Sequence, residues 1–180
     1  MDPRSSSDRE RLPRPGTSGT PREFAVLIPI LLFDAEECVL LTKRPDTLGR
    51  YAGQVCLPGG ERTQDDQSLE ETALRETYEE VGIPANHIEI FRELRWHKTS
   101  LLDRVKPFLG RIRTPCPIVA DPREVERVFY LKVASITPDL FGVRGHWRDQ
   151  EGNEHTIHTF DHEGYEVWGL TARILREAFL

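Results

Sequence analysis

Cysteine is scarce in this chain: Cys38, Cys56 and Cys116 stand far apart, with no CxxC pair among them. An odd, sparse set excludes a disulfide framework or zinc ribbon and points to a reducing compartment, the cytoplasm or an organelle interior, mitochondrial and peroxisomal ones included. Long apolar runs are also lacking. The longest, Phe24 to Phe33, has ten residues and contains Pro29, far short of the ~20 a bilayer-spanning helix needs, so no membrane association is expected. Nor is there a broad basic footprint. Lys and Arg number 24 against 30 Asp and Glu, which argues against a nucleic-acid partner. Internal repeats are absent.

What remains, 180 residues with 38 % hydrophobic and 30 % charged side chains, fits one globular domain. The charge is local. Between Glu61 and Glu80 eight acids face two bases, Arg62 and Arg75, which accounts for the whole net charge of −6. Such a block is either a solvated face or a place where cations bind.

Residues 1–23 contain four Pro, four Ser and five Arg with only Met1 and Leu12 apolar. They cannot bury enough surface to offset ordering entropy and read as a disordered tail, with the domain at 24–180. A transit peptide is the rival reading, against which Asp2, Asp8, Glu10 and Glu23 count. The final Ala178-Phe179-Leu180 is not an SKL-type peroxisomal address. The ordered part opens with the buried strand FAVLIPILLF; Asp34 to Glu37 makes a turn, and CVLLTKR from Cys38 is its antiparallel partner. Strand-like stretches follow at 87–94, 105–112 and 125–133, then a hairpin turning at Asp149 to Asn153. A helix spans Gly169 to Phe179, with Leu170, Ile174 and Ala178 on one face. The pattern is that of an α/β (α+β) domain with helices on a mixed sheet.

The segment SLEETALRETYEEVGIP is a helix with marked ends. Ser68 and Glu71 form a capping box, Gly82 suits a left-handed C-cap, and Pro84 blocks continuation. At about 100° per residue, Leu74, Tyr78 and Val81 share the face expected to pack on the sheet, with Glu76, Glu79 and Glu80 roughly opposite. These three glutamates repel one another at i,i+3 and i,i+4 spacing, and they face the negative end of the helix dipole. No Lys or His in the last turn offsets them. A bound divalent cation would, and a hard ion such as Mg²⁺ takes carboxylates, waters and substrate phosphates. The preceding Leu57-Pro58-Gly59-Gly60 is a turn at which backbone approaches a ligand closely.

Gly60 with Arg75-Glu76-Thr77-Tyr78-Glu79-Glu80-Val81-Gly82-Ile83 resembles the Nudix box of the Nudix hydrolases, with Gln67 where a glutamate is usual, a loop one residue shorter, and Asp66 as the candidate stand-in. Leu40-Leu41-Thr42-Lys43-Arg44 and Gly53-Gln54-Val55-Cys56-Leu57-Pro58-Gly59-Gly60 resemble the motif ahead of the box in coenzyme A diphosphatases. Val105 to Gly110, Pro122 to Val125 and Val167 to Ala172 resemble that subfamily too. Pro45, Gly49 and Leu57 depart from its pattern. The resemblance implies an α/β/α sandwich and hydrolysis, dependent on Mg²⁺ or Mn²⁺, of a diphosphate joined to another group. For coenzyme A the products are 4′-phosphopantetheine and adenosine 3′,5′-bisphosphate. A Nudix hydrolase of another nucleoside diphosphate derivative and a non-catalytic Nudix-fold binding module are the alternatives, though Glu76, Glu79 and Glu80 are all present.

Under that resemblance Glu76 and Glu80 are the principal metal ligands, Glu79 is a ligand or the water-orienting base, and the Gly59 carbonyl is a further ligand. Arg75 orients the carboxylates. Glu124 is a further ligand or general base, or else a surface glutamate. Arg44 and Arg50 are candidates for the 3′-phosphate, and Gly60 lies where substrate approaches. The partner implied is a small molecule, with room for a homodimer. His155, His158 and His162 lack a nearby Cys and read as solvent-facing strand residues, and Trp168 and Leu170 as core packing.

Overall fold

A computed structural model describes residues 21–47, 51–99, 103–148 and 152–180. Its strands are β1 (Glu23–Phe33), β2 (Glu36–Lys43), β3 (Val55–Cys56), β4 (Gly59–Glu61), β5 (Ile88–Glu93), β6 (His97–Lys98), β7 (Arg104–Ile112), β8 (Arg127–Lys132), β9 (Gly142–Arg148), β10 (Glu154–His162) and β11 (Tyr165–Trp168), and its α-helices are α1 (Leu69–Val81) and α2 (Gly169–Phe179). The first eight strands form one mixed sheet and the last three a small antiparallel one. The fold is mixed α/β.

β1 runs through the middle. It pairs in parallel with β7 and antiparallel with β2 from Ile30 onward and with β4 before Leu27. Pro29, which has no N–H to donate, falls where this edge changes partner, and the ladder tolerates it there. Strand alternation sends Ala25, Leu27 and Leu31 to one face and Ile28 and Ile30 to the other. The first set packs with Leu40, Phe108 and the α1 residues Ala73 and Val81; the second packs with Val39, Leu41, Phe129 and the α2 residues Ile174 and Leu175. The two helices therefore cover opposite faces. Among the described residues no helix is long and apolar enough to cross a membrane.

Four expectations are corrected. Arg22 and Glu23 are not tail: Glu23 opens β1, and Arg22 binds Asp103 at 2.6 Å and Glu61 at 3.1 Å. The helix face against the sheet is not the Leu74–Tyr78–Val81 face, since Tyr78 is 58 % exposed and Leu74 half-buried. Thr72, Ala73, Thr77, Glu80 and Val81 are the buried ones. Small side chains let α1 approach β1 and β4 closely, and the hydroxyls are satisfied locally, Thr77 Oγ1 donating to the Ala73 carbonyl at 2.7 Å and Thr72 Oγ1 to Asp66 at 3.0 Å. The β10 histidines are half-buried rather than solvent-facing: His155 stacks on Trp147, while His158 and His162 sit edge-on to Phe141 and Phe129. Trp168 is half-buried, with the Arg144 guanidinium 4.2 Å above its ring. Arg50 and Gly49 lie outside the described residues.

Candidate metal and phosphate site

Caps set the position of α1. Ser68 Oγ accepts from the Glu71 N–H at 3.1 Å, while the Glu71 carboxylate accepts from Gln67 N–H at 2.7 Å, one residue earlier than the reciprocal bond of a capping box. Gly82 ends the helix at φ 72°. Beyond it the chain returns across the helix terminus: Val119 N–H donates to the Val81 carbonyl and Asp121 N–H to the Glu80 carbonyl, each at 3.0 Å. These bonds satisfy the last-turn acceptors. They also bring Glu124, anchored by buried Val125 and by its own N–H to the Asp121 carbonyl, up against the acidic helix. Glu124 is half-buried and close enough to repel both Glu76 and Glu80.

Arg75 is the hub. Its Nε and Nη2 hold the two oxygens of Asp66 at 2.9 Å each, Nη1 reaches Glu76 at 2.8 Å and Glu79 at 3.1 Å, and Nη2 also donates to the Glu61 carbonyl at 3.2 Å. The bidentate fork to Asp66 is the strong arrangement for this pair. Asp66 is 5 % exposed, and the guanidinium beside it holds its carboxyl well below the usual range, helped by the Thr63 N–H and the Thr72 hydroxyl. Asp66 thus anchors Arg75, whose Nη1 bridges the Glu76 and Glu79 carboxylates.

Glu80 is the buried member, 2 % exposed. Burial pushes its carboxyl up to about 8; Arg44 opposes the shift, Glu76 and Glu124 add to it, and a backbone hydrogen bond from Gly59 opposes it. Burial likewise raises Glu76, with Arg75 opposing. Arg44 Nη1 stands 3.8 Å from Glu80 Oε1, while Glu80 Oε2 and Arg44 Nε are buried without a hydrogen-bond partner. The glycines make room. A Cβ on Gly60 would lie 2.3 Å from the Glu76 carboxyl carbon, and one on Gly59, at φ 154°, would lie 2.3 Å from the Ala25 carbonyl. Only residues without a side chain allow the turn to sit this close to both the helix and β1.

Six of the expected site residues therefore meet around one point of the fold: Gly59 and Gly60 from the turn, Glu76 and Glu80 from the helix, Arg44 from the end of β2, and Glu124 from the later loop. Glu79 is exposed at the rim, linked through Arg75. Among the described residues no three His, Cys, Asp or Glu side chains stand gathered at metal-ligand spacing, and two arginines stand among the carboxylates instead. The donor set nevertheless fits a hard divalent cation. It offers all-oxygen carboxylates, one buried oxygen with no partner, and mutual repulsion that burial intensifies.

A model of the NUDIX domain family matches residues 21–140. The uncharacterized Nudix hydrolase NudL of Yersinia pestis (strain Pestoides F) is 39 % identical over 161 residues, covering 88 % of this chain and 79 % of that protein. The chain belongs to the Nudix hydrolase family. NudL of Yersinia pseudotuberculosis (serotype O:1b, strain IP 31758) aligns with the same identity and coverage. The Nudix fold is matched by solved structures as well. A Caenorhabditis elegans Ap4A hydrolase binary complex aligns at TM-score 0.52 and 17 % identity, covering 63 % of this chain and 81 % of that one. A MutT protein from Methanosarcina mazei Go1 aligns at TM-score 0.52 and 20 % identity, covering 67 % and 83 %. Within this Nudix domain the pairing of Arg44 with Glu80 was not legible from the sequence, because no spacing connects the end of β2 with the last turn of α1.

Proposed function

We propose that this Nudix hydrolase cleaves the diphosphate of coenzyme A or its thioesters, giving 4′-phosphopantetheine or its acyl form and adenosine 3′,5′-bisphosphate. The observation that carries the diphosphatase reading is the convergence of Glu124 on Glu76 and Glu80 beside the Gly59–Gly60 turn. The coenzyme A reading is supported by the likeness of Leu40 to Arg44 and Gly53 to Gly60 to the diphosphatase motif.

Glu76 and Glu80 would hold Mg²⁺ or Mn²⁺, with the Gly59 carbonyl and either Glu79 or Glu124 completing the protein's share. Bound there, the ion would neutralise phosphate charge and lower the pKa of a water it holds. The residues of the chain do the rest. Glu79 or Glu124 accepts the proton of the attacking water. Arg75, fixed by Asp66, keeps the Glu76 and Glu79 carboxylates aimed. Arg44, standing at Glu80, exchanges that carboxylate for a substrate phosphate oxygen, and with Arg50 supplies guanidinium for the 3′-phosphate.

Mass spectrometry of products from coenzyme A, with Mg²⁺ and with chelator, tests this. Both product masses are expected only with metal. A panel including a nucleoside triphosphate, a nucleotide sugar and ADP-ribose separates the alternatives: turnover of one of these in preference to coenzyme A would keep the hydrolase and overturn the substrate.

A further inference from the structure

On the sheet face opposite α1, an open basin of about 410 Å³ is lined by Arg95, His158, Arg173, Arg176, Glu177 and Leu180. It concentrates donors. Glu177 is the one acidic side chain in that lining; it accepts from Arg95 Nε at 2.7 Å and lies 3.2 Å from Nε2 of the buried His97, off the hydrogen-bonding line. Arg173 donates through Nη2 to the Lys98 carbonyl at 2.7 Å, but its Nε is buried with no partner. His158 Nδ1 is buried and unpartnered too.

The distribution of such atoms is uneven. Among the described residues six buried side-chain polar atoms lack a partner. Two of them, on Arg44 and Glu80, belong to the carboxylate site, those of His97, His158 and Arg173 gather at or beside this basin, and the sixth, on His162, lies outside it, 3.7 Å from Glu163. Buried polar groups are nearly always paired, so a cluster of orphans marks a place where something else supplies the partner. Its sign is readable. Among the lining side chains Arg95, Arg173 and Arg176 against Glu177 leave two positive charges in one concavity, and burial first and then the neighbouring guanidinium groups drive Arg173 and His158 toward their neutral forms, opposed by Glu177 at Arg173 and by a hydrogen bond of His158 to the Gly142 backbone. This is the mirror image of the acidic helix: like charges packed together with their compensation missing.

We propose that the basin binds a phosphate group, as free inorganic phosphate or as the terminal phosphate of a monoester, on the side of the sheet away from the carboxylate site. Guanidinium forks match phosphate oxygens in geometry, and a dianion matches the two uncompensated charges better than a carboxylate does. The volume exceeds that of the ion alone and leaves space for the alcohol portion of an ester.

Calorimetry with inorganic phosphate and, separately, adenosine 5′-monophosphate tests this, with chelator present to silence the metal site and chloride at equal ionic strength as the blank. Saturable binding of at least one is expected. It should weaken by about tenfold or more in Arg176→Gln, an exposed position unlinked to the core, and in Arg173→Met, which keeps the aliphatic stem. Arg113→Gln, an exposed arginine elsewhere, should leave it unchanged. Tighter binding of the nucleotide assigns an ester, and equal or weaker binding assigns the free ion. Absence of binding for both, or affinities unaltered in Arg176→Gln and Arg173→Met, would overturn the proposal.

Discussion

Glu80→Gln is expected to abolish metal-dependent turnover while the protein stays folded. The substitution keeps size and hydrogen-bonding capacity, so the packing of α1 on β1 and β4 should survive. What it removes is, among the described residues, the one carboxylate with a buried, unpartnered oxygen. Loss of a group that merely orients a metal ligand typically costs 10–100-fold, so loss of a ligand itself should exceed about 100-fold. Folding is checked by the melting curve in chelator. There the variant should match or surpass the wild type, because a buried carboxylate repelled by Glu76 and Glu124 no longer has to be accommodated. Unimpaired turnover would remove Glu80 from the metal site.

Arg75→Met should cost both stability and activity. It leaves Asp66, 5 % exposed, without its bidentate partner, and stranding a buried charge costs about 3 kcal/mol or more. It also frees Glu76 and Glu79 from the group that aims them. Urea unfolding measures the first effect and kcat the second. Asp66→Asn separates them, since it removes the same pair without leaving a buried anion; its stability loss should be the smaller. The pH dependence has a definite sign. Asp66 has its folded pKa depressed below the ordinary 3.8, so the unfolded chain binds the proton more readily. The pair's contribution is therefore present in full above the ordinary carboxylate range and is lost as pH falls through the folded pKa. The stability gap between wild type and Asp66→Asn should hold from neutral pH to about pH 5 and close at lower pH. A gap that widened on acidification would contradict the pairing.

The chemistry of α1 was legible in the sequence because repulsion between carboxylates three and four residues apart is a local property. So were its ends: Ser68, Gly82 and Pro84 act on neighbouring backbone. The buried face was not, because hydropathy groups Leu74, Tyr78 and Val81, whereas packing favours the side chains that let the helix come closest, Ala73 and Thr77. That rotation is what buries Glu80. The strand alternation of β1 was legible as a continuous apolar run, but its division between two cores appears only once the helices are placed on opposite faces. Glu124 was named only through the family likeness, since its approach to α1 depends on two backbone hydrogen bonds, from Val119 and Asp121, that no spacing reveals. Four of the basin's lining residues, Arg173, Arg176, Glu177 and Leu180, share one stripe of α2 and its end, but Arg95 and His158 come from the β5–β6 connection and β10, which no spacing connects with that stripe.

The most direct test of a cation among these carboxylates is calorimetric titration of the 180-residue chain with Mn²⁺, run in parallel on Glu80→Gln and without substrate. Saturable heat in the wild type, accompanied by a raised melting temperature and lost in the variant, is the expected result. No heat in the wild type, or the same heat in both proteins, would contradict it.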